Sequence, residues 1–272
     1  MKQLFIFAII NSFLIFLSMI VYWITTQYYN LIYLYLTHLT KTFILLITTK
    51  YSQRNKEYIT TRENYTFDSF LKINPIMHVF SSVFIETITY YIISHFFIFV
   101  NKSCLYDLLL FIPVSFIFEI IYDFMHYWVH RSLHYNKFLY KYIHKKHHSK
   151  INVTYLDTYY QNPIDLIFSN SIPFYLSLII ISNITNISYF QFVLLTVYKT
   201  SVEIAGHTGK KTYPTSSFPQ FPWLVKYLNM ELYTENHDLH HKYPNCNFSK
   251  RFSLWDKIFM TYASNKNKIN IK

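Results

Sequence analysis

The chain has 272 residues, 52% of them hydrophobic and only 14% charged, with a formal net charge of +11. That balance makes lipid rather than water much of its solvent, and a positive charge scattered between apolar runs fits membrane orientation, not a folded nucleic-acid-binding domain. Two cysteines, Cys104 and Cys246, exclude a disulfide framework and a paired-cysteine metal motif; with two glycines the dinucleotide fingerprint G-x-G-x-x-G is impossible.

In chain order, the first apolar run is residues 4–24, "LFIFAIINSFLIFLSMIVYWI", uncharged and long enough for a bilayer, which takes roughly 20 residues. Lys2 precedes it and no small-residue cleavage site follows, so it is expected to stay as an anchor. A weaker run, 31–48, carries His38 and Lys41 and can span or lie at the interface. Residues 76–100 and 105–122 follow, then 164–181 and 187–205, the last more polar towards its end. Short turns join the runs in pairs, which predicts three helical hairpins. Their open ends, residues 49–75, 123–163 and the tail from Gly206, then share one side. Nearly every Lys and Arg outside the runs falls there, with Lys102 in a far-side turn, and the positive-inside rule makes that side cytosolic. The expected fold is all-α: a polytopic membrane helical bundle with a cytosolic, histidine-rich metal-binding cap.

Ten of the thirteen histidines lie between residues 126 and 241, all on the shared side. His38, His78 and His95 sit in apolar runs and are read as packed or interfacial side chains. The clusters begin with "DFMHYWVHRSLH", where His126 and His130 share a helix face at i and i+4 and His134 lies one turn further. "HKKHH" holds His144, His147 and His148; "HDLHH" holds His237, His240 and His241, each block offering up to three imidazoles from one helical turn. His207 stands alone between Gly206 and Gly209, the only glycines, which are expected to let the chain turn and fold that ring over the others. So many imidazoles converging without a metal would leave ring nitrogens unsatisfied. A protease-type HExxH pattern is absent, because Tyr127 follows His126; nine or ten histidines are too many for one structural zinc and suit two metals. Imidazole takes Fe, Zn and Cu alike. Asp123, Glu203 and Asp238 adjoin these residues and are candidates to orient imidazoles.

Over about residues 105–263 this pattern resembles the fatty acid hydroxylase/sterol desaturase superfamily of membrane di-iron oxygenases. "HYWVHRSLH" is similar to its first histidine box, "YKYIHKKHH" to the second, and "ENHDLHHKYPNCNFS" with "LWDKIFMTY" to the last box and its tail. "GHTG" is similar to the place where many members carry a further histidine. The resemblance implies metal-ligand roles for His126, His130, His144, His147, His148, His207, His237, His240 and His241, with His134 either a ligand or a hydrogen-bonding support. It also implies two iron ions, O₂ as co-substrate and a lipid C–H bond as target, with hydroxylation or desaturation as the outcome. No cofactor fingerprint is present, so NAD(P)H-derived electrons are expected from outside, from cytochrome b5 and its reductase in the endoplasmic reticulum. Lys137, Lys141, Lys145, Lys146 and Lys150 form a run that can receive an acidic carrier or anionic headgroups, or be a solvated basic face.

The implied division is 1–104 as membrane-anchor hairpins, 105–263 as the catalytic domain and 264–272 as a tail. The three-residue gap between paired histidines and the lack of a fused carrier domain favour a sterol substrate, of C4-methyl oxidase or C5-desaturase type. A fatty acyl or sphingolipid hydroxylase, or a membrane metal-binding or transport protein, are the alternatives. Two positions depart from the family pattern: Asn162 in "YYQNPID" stands where many members have histidine, and Met260 in "FMTY" where glycine is usual.

Overall fold

The computed structural model describes residues 2–59, 73–150, 153–212 and 217–264. The backbone is helical, with two isolated β-bridges and no strands among the described residues. Five helices are long and apolar enough to cross a bilayer: α1 (Lys2–Gln27), α2 (Leu31–Ser52), α3 (Ile73–Phe96), α4 (Cys104–Tyr135) and α5 (Pro163–Ser182), the last containing a π turn at Ile167–Ser171. The expectation for residues 31–48 resolves as a full helix of 22 residues. Residues 60–72 and 265–272, which include part of the sequence-derived open end and the tail, lie outside the described residues.

A sixth helix, α6 (Tyr189–Gly206), starts from a capping box in which Ser188 and Gln191 cap each other's backbone. It is shorter and more polar than the five, and thirteen of its eighteen residues are buried. It packs against α1, α2 and α4, so protein, not lipid, surrounds it. That shielding lets one helix carry Lys199 and Glu203 through the middle of an apolar bundle. Leu194, Val197 and Tyr198 are fully buried at its contacts, and Tyr198 donates to Asn11 of α1 at 2.8 Å.

The connectivity matches three hairpins, while the packing pairs only the first, in which α1 lies against α2. α3 lies on α2, and α4 lies on α5, because the apolar surfaces interlock across hairpins around α6. The far-side turns meet: Val100 N–H donates to Ile187 O at 3.0 Å, Lys102 reaches Asn186 O at 2.7 Å, and Tyr29 Oη bonds Ser94 Oγ at 2.7 Å. At the opposite end Ile59 N–H donates to Gly209 O at 3.0 Å and Lys211 N–H to Glu57 O at 2.9 Å. The open ends therefore share one side.

α4 decides where the histidines stand. Its 32 residues run unbroken through Asp123, merging the predicted span 105–122 with the first histidine cluster. At 1.5 Å per residue it is about 48 Å long, against a hydrocarbon core of about 30 Å. The surplus, about three turns at its C-terminal end, carries His126, His130 and His134. After Tyr135 a turn at Lys137–Leu139, a π turn at Tyr140–His144 and a 3₁₀ turn at His147–Ser149 fold back across them. Three short helices complete the cap: α7 (Pro222–Tyr227), α8 (Thr234–Lys242) and α9 (Leu254–Ile258).

Candidate metal centre

The cap gathers nine imidazoles into two groups. His130, His134, His144, His148 and His240 form one; His147, His207, His237 and His241 form the other, and within each group one ring nitrogen per residue lies within 4.8 Å of all the rest. Each H-x-x-H-H block feeds both groups. His144 and His148 enter the first while His147 enters the second; His237 and His241 enter the second while His240 enters the first. Adjacent side chains on a helical turn point to different sectors, so one turn feeds two groups, and two ions bound there would be tied through the same backbone.

Hydrogen bonds on the outer ring nitrogens set the chemistry of the inner ones. His130 Nδ1 lies 2.8 Å from Phe248 O, His240 Nδ1 2.6 Å from Cys246 O, and His144 Nδ1 2.8 Å from Asp165 Oδ2. A carbonyl or carboxylate only accepts, so each Nδ1 carries the proton and each Nε2 presents a lone pair. Yet His130 Nε2 lies 3.1 Å from both His144 Nε2 and His240 Nε2. Three lone pairs facing one another cannot hydrogen-bond; they repel unless a cation sits between them. Nitrogens about 2.0–2.1 Å from a shared ion stand about 3.0–3.4 Å apart, which is the spacing seen. In the second group His207 Nδ1 donates to Glu203 O at 2.9 Å, and its Nε2 meets His237 Nε2 at 2.9 Å, which lies 3.2 Å from His241 Nε2. Buried ring nitrogens of His147, His148 and His241 have no hydrogen-bond partner among the described residues. These residues fit a pair of metal ions.

Burial also keeps the rings ready to bind. It pushes His207 down to about 4 and His240 to about 3, and burial followed by neighbouring imidazoles holds His147, His148, His237 and His241 well below the usual histidine range. All stay neutral at neutral pH, the form that ligates.

Several expectations change. His126 does not join either group. Its Nδ1 donates to Ser169 O at 2.6 Å, a carbonyl in the π turn of α5, and the ring lines a cavity beside both groups with Asn170, Glu203 and Lys250. His134 joins the first group instead, its Nε2 3.3 Å from His130 Nε2. The spacing of three intervening residues is kept, moved one turn along α4.

The carboxylates also act differently. Asp123 contacts no imidazole; it accepts the backbone N–H groups of Lys250, Arg251 and Phe252 at 2.7, 2.9 and 3.0 Å. Asp256 likewise accepts Phe248 and Ser249 N–H at 2.8 and 2.9 Å. Together they clamp the loop whose carbonyls at Cys246 and Phe248 hold His240 and His130. Glu203 serves His207 through its backbone carbonyl, and Asp238 is buried on α8.

The carboxylate that does grip a ring is Asp165, which the sequence reading missed; its signal is the acidic residue in "NPID" one turn into α5. Replacing Asp165 by alanine is expected to lower metal affinity about 10–100-fold, with Asp165→Asn, which keeps an acceptor oxygen, nearer wild type; metal titration of purified protein measures this. Asn162 caps α5 by accepting Ile164 N–H at 2.9 Å and does not approach the groups.

Of the two glycines, only Gly209 needs to be glycine, at φ 63°. Gly206 ends α6 with open space where a Cβ would go, so the expected role of both residues narrows to one. Met260 stands at φ 57° with its side chain in solvent, a left-handed conformation that costs a side-chain-bearing residue about 1–2 kcal/mol. Met260→Gly is therefore expected to raise the unfolding midpoint by a few degrees in a thermal melt.

The fatty acid hydroxylase family matches residues 115–261, more than half of the chain and all ten clustered histidines. The chain belongs to that family. A curated relative, "Fatty acid hydroxylase vlmA" of Lecanicillium sp, is 35% identical over 80 residues, 28% of this chain and 22% of its own length. The chain thus spans less than a quarter of that protein. No solved structure matches. The family match and the five helices long and apolar enough to cross a bilayer together point to an integral membrane protein.

Proposed function

We propose that the chain is a di-iron oxygenase that hydroxylates or desaturates a lipid C–H bond with O₂. The observation carrying this reading is the convergence of metal-ready Nε2 lone pairs at the end of a bilayer-spanning helix, where a lipid chain can reach them. Bound iron would supply the oxidising power that an unactivated C–H bond requires. The protein's own contribution is to fix tautomers through Phe248 O, Cys246 O, Asp165 and Glu203 O, and to wall the centre with buried side chains.

Electrons come from an external carrier, cytochrome b5 with its NAD(P)H reductase in this proposal, received at the lysine face beside the second block. The location proposed is the endoplasmic reticulum with the histidines towards the cytosol, following the positive-inside bias. Residues 1–104 are proposed as the anchor and 105–263 as the catalytic part. A sterol is the substrate class favoured by the box spacing; an acyl chain is the second reading, favoured by a lysine-lined cavity in the bundle.

The test is metal analysis of the purified protein joined to lipid profiling of expressing membranes with and without O₂. Two irons per chain and an O₂-dependent lipid product support the proposal. Zinc binding with no product in iron-reconstituted membranes sinks it.

A further inference from the structure

Below the histidine cavity lies a second one, lined by α2, α3, α5 and α6, and Glu86 and Asn170 border both. The surface of its walls is mainly apolar, with Ile93, Phe174 and Phe192 among them, and two cations line it: Lys199 and Lys41. Lys41 is 5% exposed in the middle of α2. Its ammonium makes one hydrogen bond, to Thr200 Oγ1 at 3.1 Å, and that hydroxyl spends its own proton on Thr196 O at 2.9 Å.

The other buried cations of this belt have carboxylates. Lys199 sits 3.2 Å from Glu86 and 3.0 Å from Glu203; Lys250 is 2.9 Å from Glu203; Arg251 is 3.3 Å from Glu119. Among the described residues no carboxylate lies within ion-pair distance of Lys41. An ammonium with donors to spare, at bilayer depth and in apolar walls, is unfavourable until an oxyanion meets it.

From this we infer that Lys41 binds the carboxylate of a long-chain acid whose apolar body fills the second cavity. The inference rests on the lipid-oxygenase reading for its purpose and takes the second, acyl class of substrate over the sterol. It does not come from the family, because α2 lies outside the matched residues 115–261. Thr200, which holds Lys41, precedes His207 by seven residues, so the head would sit about 10 Å along the helix axis from the metal centre. A single fixed head group then sets which carbons can come near that centre, whatever the chain length beyond.

Binding of radiolabelled palmitate to the purified full chain tests this, with methyl palmitate and cholesterol as comparators and metal content measured in parallel. Lys41→Gln should weaken palmitate binding about tenfold or more and leave methyl palmitate unchanged, while Lys41→Arg keeps palmitate affinity. Unchanged metal content in Lys41→Gln shows that the centre and fold survive. Equal palmitate affinity in wild type and Lys41→Gln overturns the inference, as does wild-type protein that prefers methyl palmitate or cholesterol. A Lys41-dependent palmitate site on protein that makes no O₂-dependent product leaves the inference standing and removes the oxygenase reading instead.

Discussion

His130→Ala is expected to empty the first metal position and abolish turnover, whereas His126→Ala leaves two metals bound. His130 is the hub of its group: its Nε2 approaches the Nε2 atoms of His134, His144 and His240 at 3.3, 3.1 and 3.1 Å, and Phe248 O holds its tautomer. Removing it takes away the nitrogen that all three partners face, and no neighbouring side chain can replace it. His126 has the same residue type four positions earlier on the same helix face, but its free nitrogen points to the cavity beside the groups. Metal per chain, measured by elemental analysis on both variants, reads the difference directly. A His126→Ala protein that loses metal while His130→Ala keeps it would reverse the assignment.

That contrast also marks how far sequence alone reaches. Apolar runs announce the bundle because about twenty uncharged residues have little else to do than cross lipid. The clustered histidines announce metal because few other uses need so many imidazoles together. What periodicity could not decide is which neighbours on one stripe converge: His126, His130 and His134 are equivalent by spacing, and only the fold-back of residues 136–149 and the docking of α8 select the last two. Asp165 was hidden for a similar reason, since the fold-back through the π turn at Tyr140–His144 and the first turn of α5 bring "NPID" under His144 from 21 residues away. Charges in α6 were visible as polarity but not as partners, because Lys199 and Glu203 find theirs on α3 and in the loop after α8. Met260 was read as a departure from glycine, and its left-handed backbone supplies the physical cause.

Glu203→Gln is expected to destabilise the folded protein by about 3–5 kcal/mol, the usual effect of removing one partner from a buried ion pair. Glu203 is 6% exposed and lies within 3.0 Å of Lys199, 2.9 Å of Lys250 and 3.6 Å of Arg251, with Tyr122 Oη donating to it at 3.4 Å. The three cations do not lose equally. Lys199 keeps Glu86 and Arg251 keeps Glu119, but Lys250 has no second carboxylate among the described residues. Burial already pushes the Lys250 ammonium down to about 8 with Glu203 present, so without it the neutral amine becomes the easier state. The loss should therefore concentrate on Lys250, and Lys250→Met in the Glu203→Gln background should recover much of the stability, because the stranded charge is gone. A double-mutant cycle of thermal unfolding midpoints in detergent measures this, with a drop of about 10 °C expected for the single variant. If Lys250→Met adds its own full penalty to that of Glu203→Gln, the two residues are uncoupled and the buried network is not what supports this end of α6.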